Sequence, residues 1–189
     1  MFKDLVLANR SYRRFYQEEA VSLDTLKELV DLARNTASTV NSQALKYKLV
    51  CMPEENAKVF ETLAWAGLLK GKGTPVEGER PSAYIVVLCD LALGQNKFWD
   101  EGIAAQTILL GAAEKGLGGC MLGSIKREQL AKELNIDTEK YAIDLVLALG
   151  KPKETVKLVE MNSDNSTAYY RDENGIHYVP KRSLDDIII

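Results

Sequence analysis

The 189-residue chain has little of what many catalytic and binding sites require. It has one histidine and three cysteines, Cys51, Cys89 and Cys120, without Cys-x-x-Cys spacing. This set fits neither a zinc cluster nor a disulfide framework, so we expect no metal site and a reducing compartment, the cytoplasm. Lys and Arg number 24 against 27 Asp and Glu, and the net charge of -3 offers no bulk basic surface for nucleic acid.

The sequence also lacks a long apolar run. Its longest mainly apolar stretch, residues 102–117, is about 16 residues long and is interrupted by polar and charged side chains, whereas a membrane span requires about 20. The first residues show no basic-then-apolar signal for secretion. We therefore expect a cytoplasmic protein that does not contact a membrane.

The apolar fraction of 46% and the charged fraction of 27% are those of an ordinary globular protein. Helical and strand patterns are interleaved without the strict alternation of a parallel doubly wound fold. No internal repeat or long linker divides the chain. The sequence therefore predicts an α+β fold with one domain over residues 1–189.

Hydrophobic periodicity predicts the main elements. Ser22 precedes an apolar stripe that runs to about Arg34 and indicates a capped helix. Residues 83–89 and 143–149 predict strands buried on both faces. Residues 100–116 predict a helix buried all round, whose small residues suit close packing across a dimer.

Three other segments carry weaker signals. Residues 54–69 have helical spacing, and a glycine-rich loop follows at 71–80. Near the C-terminus, Asn174-Gly175 lies between two β-prone runs and predicts a hairpin with a type I′ turn. The apolar tail that follows is expected to pack on this subunit or on a partner.

Two basic clusters are candidates for an anion site. Three arginines and a serine hydroxyl lie within five positions and suit a phosphate monoester, although a solvated charged turn is the commoner role of such a cluster: Arg10, Ser11, Arg13 and Arg14. Lys181 and Arg182 form the second cluster. The two clusters converge on one anion, or the second is a solvated pair before the tail.

Two further segments suit a flat polar ligand. The hydroxyls and amides of residues 38–43 can bind the edge of a heterocycle, or they can serve as turn formers. Residues 116–123 are glycine-rich but follow a helix, which makes them a poor dinucleotide fingerprint. Their backbone N–H groups can approach a ligand closely.

Neither a nucleophile-and-base pair nor a metal site can be assembled from these residues. His177 falls in the predicted hairpin, where a half-exposed structural role is expected. Cys89 and Cys120 have apolar neighbours and are expected to be small hydrophobic residues. Trp65 is a core residue or lines a pocket beside the glycine-rich loop. An anion site without catalytic side chains indicates a cofactor that supplies the chemistry.

In combination, these segments resemble the FMN-dependent nitroreductase family over nearly the whole chain. The resemblance includes the long helix at 100–116, the glycine-rich segment after it, and the basic and acidic ending at 181–187. Two signatures carry the resemblance. The first is Asn9-Arg10-Ser11-Tyr12-Arg13-Arg14-Phe15, in which Asn9 replaces a basic residue. The second is Ala37-Ser38-Thr39-Val40-Asn41-Ser42-Gln43-Ala44, in which alanines replace two prolines.

The resemblance implies a three-layer α-β-α sandwich with a mainly antiparallel central sheet, and a homodimer with swapped tails and two FMN sites at the subunit interface. It implies that Arg10, Ser11 and Arg13 hold the phosphate and ribityl chain of FMN. Lys181 or Arg182 would complete the anion site. Because Asn9 removes one positive charge, phosphate binding would be weaker or would shift to Arg14.

The remaining residues implied by the resemblance surround the flavin ring. Ser38, Thr39 and Asn41 would reach the flavin ring from the partner subunit. Backbone N–H groups around Met121, Leu122 and Gly123 would also face the ring. Trp65 and Lys70 are the predicted contacts of the electron acceptor and the nicotinamide.

The implied activity is reduction of a nitroaromatic, quinone or related small-molecule acceptor, with NADH or NADPH as the electron donor. A ping-pong mechanism with two-electron transfer follows, because both reactants would use the same pocket. Two alternatives remain open: a flavin-binding carrier or sensor without turnover, and a flavin-dependent dehydrogenase or dehalogenase on the same fold.

Overall fold

The computed structural model describes residues 1–69, 73–94, 98–161 and 166–189. The helices are α1 (Phe2–Ala8), α2 (Leu23–Arg34), α3 (Pro53–Glu61), α4 (Phe98–Glu114) and α5 (Arg127–Leu134). The strands are β1 (Leu45–Val50), β2 (Ala83–Asp90), β3 (Gly118–Leu122), β4 (Tyr141–Gly150), β5 (Val156–Glu160), β6 (Tyr170–Arg171) and β7 (His177–Lys181).

The central sheet has the strand order β1-β2-β4-β3, and each neighbouring pair is antiparallel. The two strands predicted to be buried, β2 and β4, lie in the middle of this sheet. Their β-branched and leucine side chains are covered on both faces, as a continuous apolar run predicts. The edge strand β3 is built from the glycine-rich segment.

Helices cover both faces of the central sheet. On one face, Leu26 and Leu29 of α2 pack with Ile108 of α4. On the other face, Phe60 of α3 packs with Leu130 of α5. Each side chain of this size stabilises the fold by about 1.5–3 kcal/mol when fully buried. The predicted α+β fold, a three-layer α-β-α sandwich with a mainly antiparallel sheet, is confirmed.

Helices α2 and α4 test two sequence predictions. The Ser22 Oγ accepts a hydrogen bond of 3.1 Å from the Thr25 backbone N–H, which confirms the predicted N-cap of α2. The prediction that α4 is buried all round is wrong within this chain. Ala105 and Ile108 face the sheet, but Ile103 and Gln106 are exposed because none of the described residues covers that side.

A helix was predicted over residues 54–69, but α3 ends at Glu61, so the prediction is wrong for residues 62–69. The Thr62 hydroxyl donates to the Val59 carbonyl oxygen, and the Thr62 carbonyl oxygen accepts from the Lys126 backbone N–H at 2.8 Å. The chain then runs beside the segment that follows β3, with a bridge between Leu63 and Ile125. These pairings replace the hydrogen bonds that would continue the helix.

The predicted C-terminal hairpin forms, but its turn differs. Strands β6 and β7 are antiparallel and place Arg171 opposite His177, and β5 pairs with β7 in parallel. Gly175 has a positive φ of 78°, while Asn174 does not adopt a positive φ. The predicted type I′ turn is therefore wrong, because that turn requires positive φ at both central residues. Among the described helices, none is long and apolar enough to cross a membrane.

Candidate cofactor cleft

A cleft of about 370 Å³ lies where the segment after α1, helix α4, strand β3 and the C-terminal hairpin meet. Its lining combines basic, polar and aromatic side chains: Asn9, Arg10, Ser11, Arg13, Gln106, Leu109, Met121, Tyr169, His177, Val179 and Lys181. Arg10, Ser11 and Arg13 of the first predicted basic cluster and one residue of the second therefore face one cavity.

The basic segment runs along the outer edge of β3. Ser11 forms a parallel bridge with Gly119, and the Tyr12 backbone N–H donates to the Gly119 carbonyl oxygen at 2.9 Å. A Cβ on Gly119 would lie 2.5 Å from the Ala148 carbonyl oxygen and 2.6 Å from Leu109 Cδ2. Glycine is required here because β3 must approach both β4 and α4 closely. Phe15, fully buried, anchors the end of the segment.

Arg10 and Arg13 retain hydrogen-bonding capacity inside the cleft. The Nη2 of Arg10 donates to the Val6 carbonyl oxygen at 2.6 Å, and the Nη1 of Arg13 is 3.3 Å from the Ser11 carbonyl oxygen. The Nε of each guanidinium is buried without a hydrogen-bond partner among the described residues. Buried cationic donors without partners suit an anionic ligand.

Arg14 does not take over the charge that Asn9 lacks. Its Nε pairs with Glu79 Oε2 at 3.4 Å, and its side chain is not part of the cleft lining. That part of the sequence prediction is wrong, because Glu79 already neutralises Arg14. Lys181 faces the cleft, whereas Arg182 is exposed outside it. The structure therefore separates the two candidates for the second basic contact.

The edge of β3 forms another wall of the cleft. Met121 is partly exposed and lines the cleft, while Leu122 is buried in the core on the opposite face of the sheet. Gly123 follows the strand, with no atom near the position of a Cβ. Because β3 is an edge strand, no described strand pairs with its side away from β4, where Ser11 bridges Gly119.

Ser38 and Gln43 of the predicted polar segment line a second cavity, of about 290 Å³, together with Asp100. The Oδ1 of Asp100 accepts two hydrogen bonds from Thr39, one from its backbone N–H at 2.9 Å and one from its hydroxyl at 2.8 Å. Val40 and Asn41 have positive φ angles of 48° and 53°, a costly conformation for a β-branched residue that is characteristic of functional segments.

Within one chain, the structure does not bring the Ser38, Thr39 and Asn41 segment to the basic cleft. Both sites border α4, but Gln106 and Leu109 line the basic cleft, whereas Asp100 and Ala104 line the other cavity. A contribution of this segment to the cleft of a partner subunit stays a prediction.

Of the two predicted contacts of the acceptor and the nicotinamide, Trp65 does not line the cleft. Trp65 is 6% exposed, and its ring centroid is 5.8 Å from that of Phe60 in the core on the other face of the sheet. The prediction that it lines an acceptor pocket is wrong for this cleft, because its ring fills the core under α3. Lys70 lies outside the described residues.

The sequence analysis missed a buried carboxylate behind the cleft. The side chain of Glu154 is 2% exposed, and its Oε1 accepts hydrogen bonds from the backbone N–H groups of Arg13 and Arg14. Its Oε2 binds Nη2 of Arg171 and lies 3.7 Å from Nδ1 of His177. Burial opposes ionisation of this carboxyl, but His177, the Arg13 N–H and Arg171 hold the pKa of Glu154 below its ordinary value.

His177 is fully buried rather than half-exposed, which corrects the sequence prediction. Its ring lies 5.2 Å from that of Tyr169, and the Arg13 guanidinium lies 5.0 Å from the same tyrosine ring. The exposed position was expected from an isolated hairpin, but β5 and the basic segment cover this one. The sequence carries no signal for this burial, because the observed register, which places Arg171 beside His177, differs from that of a two-residue Asn174-Gly175 turn.

The comparisons with known proteins all indicate the same family. The model of the family described as "Nitroreductase family" matches residues 6–100 and 94–151. The Bacillus subtilis protein "Putative NAD(P)H nitroreductase YodC" is 24% identical over 178 residues, which cover 78% of this chain and 88% of that protein.

Solved structures share the fold at low sequence identity. A Desulfovibrio desulfuricans structure titled as a nitroreductase in complex with FMN has a TM-score of 0.72 and 18% identity, and the match covers 100% of this chain and 95% of the other. A similarly titled FMN complex from Exiguobacterium sibiricum has a TM-score of 0.68 and 18% identity, covering 82% and 89%.

Proposed function

Because the chain belongs to the nitroreductase family, we propose that it is an FMN-dependent oxidoreductase that uses NADH or NADPH to reduce a small-molecule acceptor. The observation that carries the proposal is the cleft in which Arg10, Arg13 and Lys181 surround one cavity beside the open edge of β3. The family relatives named above as an NAD(P)H nitroreductase and as FMN complexes support the choice of donor and cofactor.

The residues present fit a phosphate-bearing flavin. The buried Nε atoms of Arg10 and Arg13 have no partner among the described residues, which leaves two charged donors for phosphate oxygens. Lys181 adds a third positive charge. The ring system would lie against Met121 and the backbone that leads to Gly123, where side chains leave space.

Each group of residues has a separate task in this proposal. When bound, FMN supplies the two-electron redox chemistry between nicotinamide and acceptor. Arg10, Ser11, Arg13 and Lys181 bind and orient the phosphate end. No side chain needs to act as nucleophile.

The proposal extends to the assembly and its location. We propose a homodimer with swapped tails, in which Ser38, Thr39 and Asn41 complete the partner's cleft. The exposed side of α4, with Ile103 and Gln106, supports an interface there. We assign the dimer to the cytoplasm, in keeping with the composition.

Anaerobic reduction tests the function. FMN-loaded protein is mixed with NADH or NADPH, and the flavin absorbance is followed before and after a nitroaromatic or quinone is added. We expect bleaching by at least one nucleotide, recovery with the acceptor, and parallel double-reciprocal lines in steady state. Tight FMN binding without reduction by either nucleotide would contradict the enzyme and favour a flavin carrier.

A further inference from the structure

His177 is a buried imidazole that faces the cleft with its hydrogen-bonding capacity unused. It is 1% exposed, it lines the cleft, and neither ring nitrogen has a hydrogen-bond partner among the described residues. Buried polar groups are rarely left without partners, because their desolvation is then uncompensated. An imidazole in this state indicates a missing hydrogen-bond partner, and the cavity it faces is the place for one.

The Glu154 carboxylate supports the other side of this ring. Its Oε2 lies 3.7 Å from Nδ1 of His177, while its Oε1 holds the backbone of Arg13 and Arg14. One carboxylate therefore connects the imidazole to the basic segment of the cleft. The Tyr169 ring packs beside the imidazole and limits its orientation.

The charged groups around His177 are mostly cations. The negative charge of Glu154 is already matched by Arg171, whose Nη2 binds the same Oε2. The other charged groups of the cleft are the cations Arg10, Arg13 and Lys181. Before a ligand binds, the cleft therefore carries an excess of positive charge. A phosphate dianion reverses this balance.

We propose that His177 is a further phosphate-contacting residue of the cleft and that it takes up a proton when a phosphate monoester binds, with Glu154 as the residue that positions it. The inference rests on the proposed function, since it assigns the ligand phosphate to this cleft. Protonated His177 donates to the phosphate and compensates for the absence of a basic side chain at Asn9, which lines the same cleft.

Proton uptake is measured by titrating FMN into flavin-free protein by calorimetry at pH 7.5, in two buffers with different ionisation enthalpies. At this pH the phosphate, with a second pKa of about 6, is almost entirely dianionic and releases few protons itself. Riboflavin, which lacks the phosphate, is the matched ligand. The parent is expected to take up a substantial fraction of one proton with FMN and almost none with riboflavin.

The variants identify the proton acceptor. His177→Gln is expected to abolish proton uptake and to weaken FMN binding about 10- to 100-fold, the range for one charge-assisted hydrogen bond. Glu154→Gln is expected to reduce uptake, whereas Glu160→Gln, an exposed change on β5, leaves it unchanged. Because the pKa of Glu101 is raised to about 7, all measurements are repeated with Glu101→Gln in the background.

The outcomes separate the two proposals. If the parent does not bind FMN, the proposed function is contradicted. If it binds FMN without taking up a proton, or if His177→Gln takes up as much as the parent, the assignment of His177 is overturned while the function stands. Should His177→Gln fail to fold by circular dichroism, the comparison of FMN with riboflavin in the parent still decides.

Discussion

Arg10 and Arg13 differ from Arg14 in having no carboxylate partner among the described ion pairs, and this difference predicts which arginines bind the ligand. We expect Arg10→Ala and Arg13→Ala each to weaken FMN binding by about 1.5–3 kcal/mol, because each removes a charge-assisted contact. Fluorescence titration with FMN measures the loss. Lys132→Ala, an exposed change on α5, is the control, and equal affinity in all four proteins would show that the phosphate binds elsewhere.

Glu101 carries a second residue-scale prediction. Burial, followed by the charge and hydrogen bond of Asp144, raises the pKa of Glu101 from 4.5 to about 7. The folded state therefore binds more protons than the unfolded state between these pH values, and stability falls as the pH rises through this range. Glu101→Gln removes the penalty.

We expect Glu101→Gln to raise the melting temperature at pH 8 and to change it little at pH 4.5. Thermal unfolding at both values measures the effect, with Glu173→Gln in the exposed hairpin turn as the control. An equal shift at the two pH values would contradict a pKa effect, because an effect on packing does not depend on protonation.

Residue-scale reasoning from sequence succeeded where contacts are local. The spacing predicted one basic cluster, and Arg10, Ser11 and Arg13 of it line one cavity, whereas Arg14 of the same cluster pairs with Glu79. Glu154 could not be found in this way. It meets Arg13 across a separation of 141 positions, and that contact depends on how the tertiary structure folds the chain back.

At the scale of elements, strand β3 depends on glycine. A Cβ at Gly119 would overlap the Ala148 carbonyl oxygen and Leu109. We expect Gly119→Ala to destabilise the protein by about 1–3 kcal/mol, the usual cost of overpacking. Denaturant unfolding measures the change, and reduced FMN affinity should accompany it, since Ser11 and Tyr12 pair with Gly119.

Gly102→Ala is the matched control for this prediction. Gly102 lies in α4 with no atom near the position of a Cβ, and alanine in a helix interior is about 1 kcal/mol more favourable than glycine. We therefore expect this change to leave the protein at least as stable as the parent. Unchanged stability in Gly119→Ala would show that β3 can move away from β4.

The hairpin shows the limit of prediction for an element. Its existence followed from Asn174-Gly175 between two β-prone runs, but the two-residue turn assumed from that pair would place Asp172 opposite His177. The observed pairing is Arg171 with His177. A shift of one residue reverses which side chains share a face, so the buried Arg171, Glu154 and His177 contacts could not be predicted.

At the scale of the whole molecule, the layer order was predictable because buried strands and amphipathic helices have distinct periods. The predicted packing of the apolar tail on this subunit is not seen, since none of the described residues covers its isoleucines. Ile187 and Ile188 of the tail are 63% and 64% exposed, and Trp99 at the start of α4 is 76% exposed. Exposed apolar surface of this kind marks an interface.

We expect sedimentation equilibrium to give twice the chain mass of 21.0 kDa, because two copies bury these apolar residues. Removal of residues 183–189 is expected to raise the dimer dissociation constant by at least tenfold, since the apolar tail is lost. Asp185→Asn in the full-length chain is the control, because this exposed residue keeps the tail. A monomeric parent would contradict the swapped-tail dimer.

The absorption spectrum of the purified protein, before and after FMN is added and unbound flavin is removed, tests the central claim most directly. The account predicts a yellow protein with one flavin per chain, and loss of most of that flavin when Arg10 and Arg13 are both replaced by alanine. A parent protein that stays colourless after FMN is added would contradict the assignment of the cleft between α4, β3 and the hairpin as a flavin site.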